Sequence, residues 1–384
     1  MVESKVFNGN RLRLARQYRG MSISDLADKT MISKQAISQF ENGKTSPGFE
    51  TLLKLMNVLG FPREYFHQED KQDVVVGNTY FRALLSTTKQ EQLEQVSKTT
   101  VLAMIYNFLE KYIQFPTLNV NIDANEDCNI EDMALMLREK WGLGIKPISN
   151  IVHLMEKNGV IVTSVNTDSL KIDAFTQGQI INGKIYYFVI LGDDKESASR
   201  RQFSAAHELG HILLHDVTSN TNEITKEEYK QMESEANEFA AAFLLPKESF
   251  LSDLLYPNKL DYYVELKKKW KVSISAMIIR AYRLDAINFN QYQYLMKQVS
   301  KRGWKVKEPL DDIIQVSRPT VLRKTIEILT TNQVLDEASI ISELENHGLS
   351  LDRKEIEFLL GLDEGRLEKR INSGSIINLK TINR

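Results

Sequence analysis

Three of the six histidines in the chain lie within nine residues, in the segment SAAHELGHILLH at residues 204–215. His207 and His211 are four residues apart, so on a helix their imidazoles share one face, one turn apart. Two such nitrogens can bind one zinc ion, and Glu208 beside them can take a proton from a metal-bound water. The spacing therefore predicts a zinc site on a helix, of the kind that hydrolyses peptide bonds.

His215 does not fit the same ion. It lies eight residues after His207, which is about 12 Å along a helix axis and too far for bonds of zinc length. We expect His215 to be a partly buried residue near the helix end, outside the ligand set. A third ligand must then come from another segment.

A second helix is predicted over TKEEYKQMESEANEFAAAFLL, and it ends before Pro246. If this helix runs back along the first, Glu233 becomes the third zinc ligand and Asn237 can accept the free ring N–H of a zinc histidine. Three protein ligands leave a fourth position for water, as in catalytic zinc sites. Spacing alone leaves three other glutamates open as the ligand: Glu228, Glu235 and Glu238.

The segment RRQFSAAHELGHILLH and the following ESEANEFAAAFLLP resemble the ImmA/IrrE metallopeptidase family. The resemblance implies a gluzincin-like peptidase domain, with zinc ligands at His207, His211 and Glu233 and the catalytic base at Glu208. Asn237 matches the family residue one turn after the glutamate ligand. The resemblance, and not the spacing, selects Glu233 among the glutamates.

Residues 10–66 predict a run of short helices, two of which, SISDLADKT and SKQAISQFE, are joined by a short turn. In this helix-turn-helix, Ala27, Ile37 and Phe40 face inward. Glutamine can bind both edges of adenine, and lysine can reach guanine or phosphate. The outward residues on the second helix are Lys34, Gln35, Ser38 and Gln39.

SKQAISQFENGKTSP is similar to the phage-repressor (XRE) helix-turn-helix family. The resemblance implies base reading by Lys34, Gln35, Ser38 and Gln39, and phosphate contacts by Asn42, Lys44 and Thr45. Ile23 stands where glutamine is usual, which implies one phosphate contact fewer. Residues 1–67 carry ten Lys and Arg against six Asp and Glu, while the whole chain has a net charge of −2. An anionic partner should therefore meet the N-terminal segment.

The composition excludes several classes of protein. The 384-residue chain is 42% hydrophobic and 26% charged, which is ordinary for a globular protein, and it has one cysteine, Cys128. A single cysteine excludes an intrachain disulfide and a thiolate metal cage. No apolar run approaches the about 20 residues of a membrane helix. We expect a cytoplasmic protein, bacterial or phage-encoded, with no membrane partner.

The predicted fold is mainly α with a small β-sheet (α+β). A strand is expected over 180–191, with Asn182-Gly183 as a tight hairpin turn, and a sheet edge beside the zinc helix can pair with an extended substrate. The expected order is a helix-turn-helix domain (1–67), a linker with a connecting helix from about residue 95 (68–118), the peptidase domain (119–255) and a helical C-terminal region (256–384).

Together these features predict a DNA-binding transcriptional regulator, a repressor, that carries a zinc metallopeptidase. The expected partners are a double-stranded DNA operator, a second copy in a homodimer, and a protein substrate, which is the chain itself or another helix-turn-helix regulator. Two alternatives stay open. In one, the metal site is a non-catalytic sensor or structural site; in the other, the N-terminal module docks proteins instead of DNA.

Overall fold

Helices surround one small sheet in this computed structural model, which describes residues 6–69, 74–81, 88–123, 128–165, 174–192, 197–215 and 225–368. Within these ranges there are sixteen α-helices and four strands. None of the described helices is both long enough and apolar enough to cross a membrane. The predicted class, mainly α with a small sheet, is confirmed.

Four short helices form the N-terminal domain: α1 (Gly9–Tyr18), α2 (Ile23–Thr30), α3 (Lys34–Glu41) and α4 (Phe49–Leu59). Local signals set their ends, because the hydroxyls of Ser22 and Ser33 accept hydrogen bonds from the first turns of α2 and α3. The three residues predicted to face inward, Ala27, Ile37 and Phe40, are buried.

A buried ion pair holds α3 against α1. Arg16 donates to both carboxylate oxygens of Glu41, at 2.6 and 2.9 Å, and both side chains are buried. Because the guanidinium is planar, this bidentate ion pair fixes the relative orientation of the two side chains as well as their distance. The orientation of α3, the predicted reading helix, is therefore set by a contact from inside the domain.

The four strands are β1 (Val74–Phe81), β2 (Ile161–Val165), β3 (Ala174–Ile181) and β4 (Lys184–Gly192), in the order β1-β3-β4-β2. Strands β3 and β4 form an antiparallel hairpin, and Asn182 and Gly183 have φ values of 50° and 78°. Two consecutive positive φ angles are what a two-residue hairpin turn requires. The hairpin turn is where the sequence predicts it, whereas the length of β3 was not predicted.

The segment 68–118 differs from the predicted linker. Its residues 74–81 form β1, which pairs antiparallel with β3 at the edge of the sheet. The connecting helix α5 (Lys89–Leu109) begins before residue 95, because Thr88 and Glu91 form a capping box. Helix α5 packs on β1 and β3, so residues 74–81 and 89–109 are part of the folded body.

Nine further α-helices lie between α5 and residue 331 in the described part of the chain. The nine are α6 (Ile130–Lys140), α7 (Ile151–Lys157), α8 (Ala198–Leu214), α9 (Lys226–Leu244), α10 (Lys247–Asp253), α11 (Leu260–Trp270), α12 (Ile274–Arg283), α13 (Phe289–Lys301) and α14 (Val321–Thr331). The next helix is α15 (Glu337–Asn346). Leu209 and Phe239 share one buried cluster with Trp270 and Met277. The packing is continuous through residue 255, so the boundary expected there is not a break in the core.

The C-terminal helices pack against the N-terminal domain. The last of them is α16 (Arg353–Leu359). Arg11 donates to the Gly348 carbonyl at 2.8 Å, and the Tyr18 hydroxyl donates to Glu355 at 2.7 Å. The buried residues of α14 to α16 belong to the same cluster as those of α1, α4 and α5.

The same C-terminal helices also contact the other side of the molecule. The Glu156 carboxylate accepts from the backbone N–H groups of Thr320 and Val321, both at 2.8 Å, and so caps α14. The Thr163 hydroxyl on β2 donates to the Leu359 carbonyl at 3.1 Å. The described part of the region from residue 317 therefore bridges the N-terminal domain and the sheet.

Candidate functional site

Helices α8 and α9 pack closely in antiparallel directions. A Cβ atom at Gly210 would lie 3.1 Å from the Phe239 ring and 3.2 Å from the Ala236 backbone, so the two helices meet where α8 has no side chain. Alanines line the rest of the contact, among them Ala206 and Ala240, both fully buried. The close approach brings a carboxylate of α9 to the histidines of α8.

His207, His211 and Glu233 form one cluster. The two Nε2 atoms are 3.0 Å apart, His207 Nε2 lies 3.4 Å from one oxygen of Glu233, and His211 Nε2 lies 3.2 Å from the other. A tetrahedral zinc ion with bonds of about 2.0–2.1 Å needs ligand atoms about 3.3 Å apart. The donor set and its spacing therefore fit one zinc ion.

The charge state of Glu233 suits such a site. Burial alone raises the pKa of this carboxyl, but in the metal-free cluster the hydrogen bonds and charges that His207 and His211 have when protonated outweigh burial and lower its pKa to about 2. The Tyr229 hydroxyl also donates to Glu233, at 3.1 Å. Glu233 is consequently an anion at neutral pH, as a metal ligand must be.

Asn237 orients the first imidazole. Its amide nitrogen donates to the Glu233 carbonyl at 2.7 Å, which turns its oxygen toward His207 Nδ1 at 3.2 Å. An amide oxygen only accepts, so His207 carries its proton on Nδ1 and presents a lone pair on Nε2 to the cluster. This is the contact that the sequence predicts for Asn237.

His215 orients the second imidazole, through a contact that sequence reasoning missed. His215 Nδ1 lies 3.0 Å from His211 Nδ1, and its Nε2 lies 3.1 Å from Glu235. Burial lowers the pKa of His215 more than Glu235 raises it, so the ring is neutral. A neutral His215 donates from Nε2 to Glu235 and accepts on Nδ1 from the Nδ1–H of His211. His211 Nε2 therefore keeps its lone pair. The regular four-residue spacing of the three histidines was the available signal.

The four glutamates left open by spacing are now separated. Glu235 binds His215, Glu228 caps α9 at Thr225, and Glu238 lies 3.9 Å from Arg283. Within the described residues, the cluster that can hold a metal consists of His207, His211 and Glu233. The ligand set expected from the sequence is the set that the fold brings together.

Glu208 is fully buried and is bound to the sheet. The Thr176 hydroxyl on β3 donates to Glu208 Oε2 at 2.7 Å, which fixes one end of the carboxylate. Thr176 was not predicted from the sequence. A polar residue at an inward position of a buried strand was the signal, but its partner is remote in the chain.

The second group of predicted site residues lies on α3 and the loop after it. Lys34 and Gln35 are exposed, and Ser38 and Gln39 are half-buried. Three exposed residues follow: Asn42, Lys44 and Thr45. Asn42 donates to the Ser38 carbonyl at 2.8 Å and accepts from Arg13 at 2.9 Å, so the end of α3 is held in place. The fold thus presents all seven along one helix and its following turn.

The contact at Gly210 yields a prediction. In Gly210→Val the added side chain meets the Ala236 backbone, which cannot move aside, so α8 and α9 separate. We expect the melting temperature to fall by several degrees, for a loss of about 1–3 kcal/mol. Gly48→Val is the matched control, because a Cβ at Gly48 has no neighbour within 4 Å. Equal melting temperatures for the two variants, measured by circular dichroism, would contradict close packing at Gly210.

Two family models match the chain. A model described as helix-turn-helix matches residues 12–66, which contain α1 to α4. A model of the M78 peptidases, described as IrrE N-terminal-like domain, matches residues 157–282. The second match contains β2 to β4 and the helices that carry His207, Glu208, His211 and Glu233.

Among curated proteins, the chain is similar to the "SPbeta prophage-derived uncharacterized HTH-type transcriptional regulator YonR" of Bacillus subtilis (strain 168). The two are 37% identical over 57 residues, which is 15% of this chain and 53% of the relative. The chain therefore matches about half the length of that relative. Residues 12–66 thus match the XRE-type helix-turn-helix family model, and residues 157–282 match the model of the IrrE/ImmA-like M78 peptidases.

Proposed function

We propose that this helix-turn-helix regulator is a repressor whose M78 domain binds zinc and hydrolyses a peptide bond. The observation that carries the proposal is the cluster of His207, His211 and Glu233, whose ligand atoms have the spacing of a tetrahedral zinc site. Glu208, next to the first ligand, is the only carboxylate of the HELGH motif.

His207, His211 and Glu233 would hold the ion. Bound zinc supplies a Lewis acid that polarises a peptide carbonyl and brings the pKa of water toward about 7. Asn237 and His215 contribute by keeping both imidazoles in the tautomer that has a lone pair on Nε2. These contacts also restrict the rotation of the imidazole rings, so little conformational entropy would be lost when the ion binds.

Glu208 is the general base in this mechanism. Its carboxylate takes the proton of the attacking water and later delivers it to the leaving amine. Thr176 donates to Oε2 at 2.7 Å, which fixes the orientation of the carboxylate for proton transfer. Because the carboxylate is buried, its direction is set by the protein rather than by solvent.

The N-terminal domain is proposed to read an operator through α3. Lys34, Gln35, Ser38 and Gln39 would face base edges in the major groove, while three residues at its end would contact phosphate: Asn42, Lys44 and Thr45. A single module covers few base pairs, so we propose a homodimer on a palindromic site. The substrate would be the chain itself, a second copy or another regulator of the same class, in the cytoplasm where the operator lies.

A non-catalytic metal sensor is the second candidate. The complete burial of Glu208 favours it, because a buried base has no access to water in this conformation. The two candidates differ in the role of Glu208. A sensor needs His207 but not Glu208 for regulation, whereas a peptidase needs both.

The Glu208→Gln variant tests hydrolysis. The amide keeps the shape of the side chain but cannot accept the proton, so we expect the rate to fall by at least about 100-fold. The purified zinc-loaded chain is incubated alone and with a library of proteome-derived peptides, and new termini are read by mass spectrometry. Glu238→Gln, at a half-buried position of α9 outside the metal cluster, is the matched control and should behave as the parent chain. Identical termini from the parent and Glu208→Gln would leave the sensor as the surviving candidate.

Salt-dependent gel shifts on a palindromic site near the gene's own promoter test operator binding. Gln35→Ala should cost about 1–3 kcal/mol on the specific site, and Lys44→Ala should weaken all sequences alike and reduce the salt slope by about one. Lys54→Ala, an exposed lysine on α4, is the control and should change neither. An absence of salt-dependent binding would favour a protein-docking role for the module instead.

A further inference from the structure

One edge of the sheet, next to the strand that contacts Glu208, is formed by a strand from outside the matched peptidase domain. That domain, residues 157–282, contributes β2, β3 and β4. Strand β1 comes from the segment between the helix-turn-helix domain and α5. Its backbone pairs antiparallel with β3 from Val74↔Ile181 to Phe81↔Phe175. Without β1, β3 would be an edge strand.

Strand β3 is also the strand that holds the proposed base. Thr176 donates to Glu208 at 2.7 Å, and α8 packs across β3 and β4. The register partner of Thr176 on β1 is Tyr80. Neighbouring strands are about 4.8 Å apart, so the backbone of β1 runs one strand spacing from the residue that positions Glu208. An extended peptide that paired with the edge of β3 would need the same place.

We propose that the edge of β3 is the peptide-binding edge of the M78 domain and that residues 74–81 occupy it as an internal blocking strand. A peptide substrate can pair with β3 only after β1 has left. This proposal rests on the proposed function only in that a bound peptide would be hydrolysed. The occupation of the edge by β1 follows from the strand pairing alone. The edge binds an extended backbone, and the segment that the structure pairs with it is residues 74–81.

The pairing of β1 with β3 is interrupted, whereas the pairing of β4 with β3 is continuous. Between Val76↔Gln179 and Thr79↔Gln177 the register shifts, so that two residues of β1, Gly77 and Asn78, stand opposite one of β3. A bulge disrupts the ladder locally, and glycine weakens a strand further. On its other side, β3 pairs with β4 in an unbroken register. Of its two neighbours, β1 is the one that can leave.

The opposite face of β3 is incompletely satisfied. Gln177 and Gln179 are fully buried and lie 3.3 Å apart, on the face that carries Phe175 and Ile181 against α5. Among the described residues, Gln177 Nε2 and Gln179 Oε1 have no hydrogen-bond partner. Buried amides that lack partners are unfavourable, and they regain partners when a packed layer opens. The docked state of β1 and α5 is therefore less favourable than an ordinary strand and helix pair.

The position of β1 in the chain couples the block to the regulator. Strand β1 follows the short 3-10 helix Arg63–His67 of the helix-turn-helix domain and precedes α5, on which α1 packs. A change in the connection between domains therefore acts on β1 first. Access to the proposed peptidase site is linked to the state of the DNA-binding domain.

The test measures peptide binding in the Glu208→Gln chain, where nothing is cleaved. The probe is a fluorescein-labelled peptide with the sequence of residues 73–82, and a scrambled peptide is its control. Val75→Pro/Val76→Pro removes β1 pairing, because successive N–H groups point to opposite sides and one of the two must face β3. We expect the proline variant to bind the probe at least tenfold more tightly than its parent, by fluorescence anisotropy. Equal affinities, or equal binding of the scrambled peptide, would overturn the proposal.

Hydrogen exchange in the unaltered chain provides a measurement that does not depend on how the proline variant folds. We expect the amides of β1 to exchange at least tenfold faster than those of β4, since only β1 leaves the sheet. Equal protection of β1 and β4 would make β1 a permanent strand and refute the block. Cleavage of the zinc-loaded chain between residues 74 and 81 would refute it too, since β1 would then be the substrate. Because peptide binding is measured without zinc or hydrolysis, its failure is distinct from the failure of the proposed activity.

Discussion

The contact between α8 and α9 at Gly210 is the constraint on which the rest of the site depends. Because α8 has no side chain there, the two helices approach until Glu233 meets His207 and His211. Three ligands on two rigid helices are held to a fraction of an ångström, which a loop could not do. Asn237 and His215 then orient imidazoles whose position is already set.

The second constraint is the layer formed by α5 and the C-terminal helices. It buries one face of the sheet and the inner face of the helix-turn-helix domain in one cluster, while the other face of the sheet packs against α8. The regulator and the peptidase-family domain are therefore not two independent bodies on a flexible tether. Contacts such as Tyr18 to Glu355 and Thr163 to Leu359 join them through the same C-terminal region.

Local signals in the sequence predict most helices and the ligand set. Ser22 and Ser33 cap their helices, and Asn182-Gly183 turns its hairpin, because each signal acts within a few residues. The features that the sequence does not predict depend on partners remote in the chain. The sequence predicts a linker where β1 lies, because the partner strand of β1 comes about a hundred residues later. The contacts of Thr176 with Glu208 and of His215 with Glu235 arise only when the elements pack. The docking of the C-terminal helices has the same origin.

The most direct test of the account is the affinity and coordination of zinc in the purified chain. A chelator competition should give one zinc ion per chain, bound at least about 100-fold more weakly in Glu233→Gln and unchanged in Glu238→Gln. X-ray absorption at the zinc edge should show two imidazole nitrogens and oxygen ligands at about 2.0–2.1 Å. Zinc that binds Glu233→Gln as tightly as the parent, or without imidazole in its coordination shell, would contradict a metal centre formed by His207, His211 and Glu233.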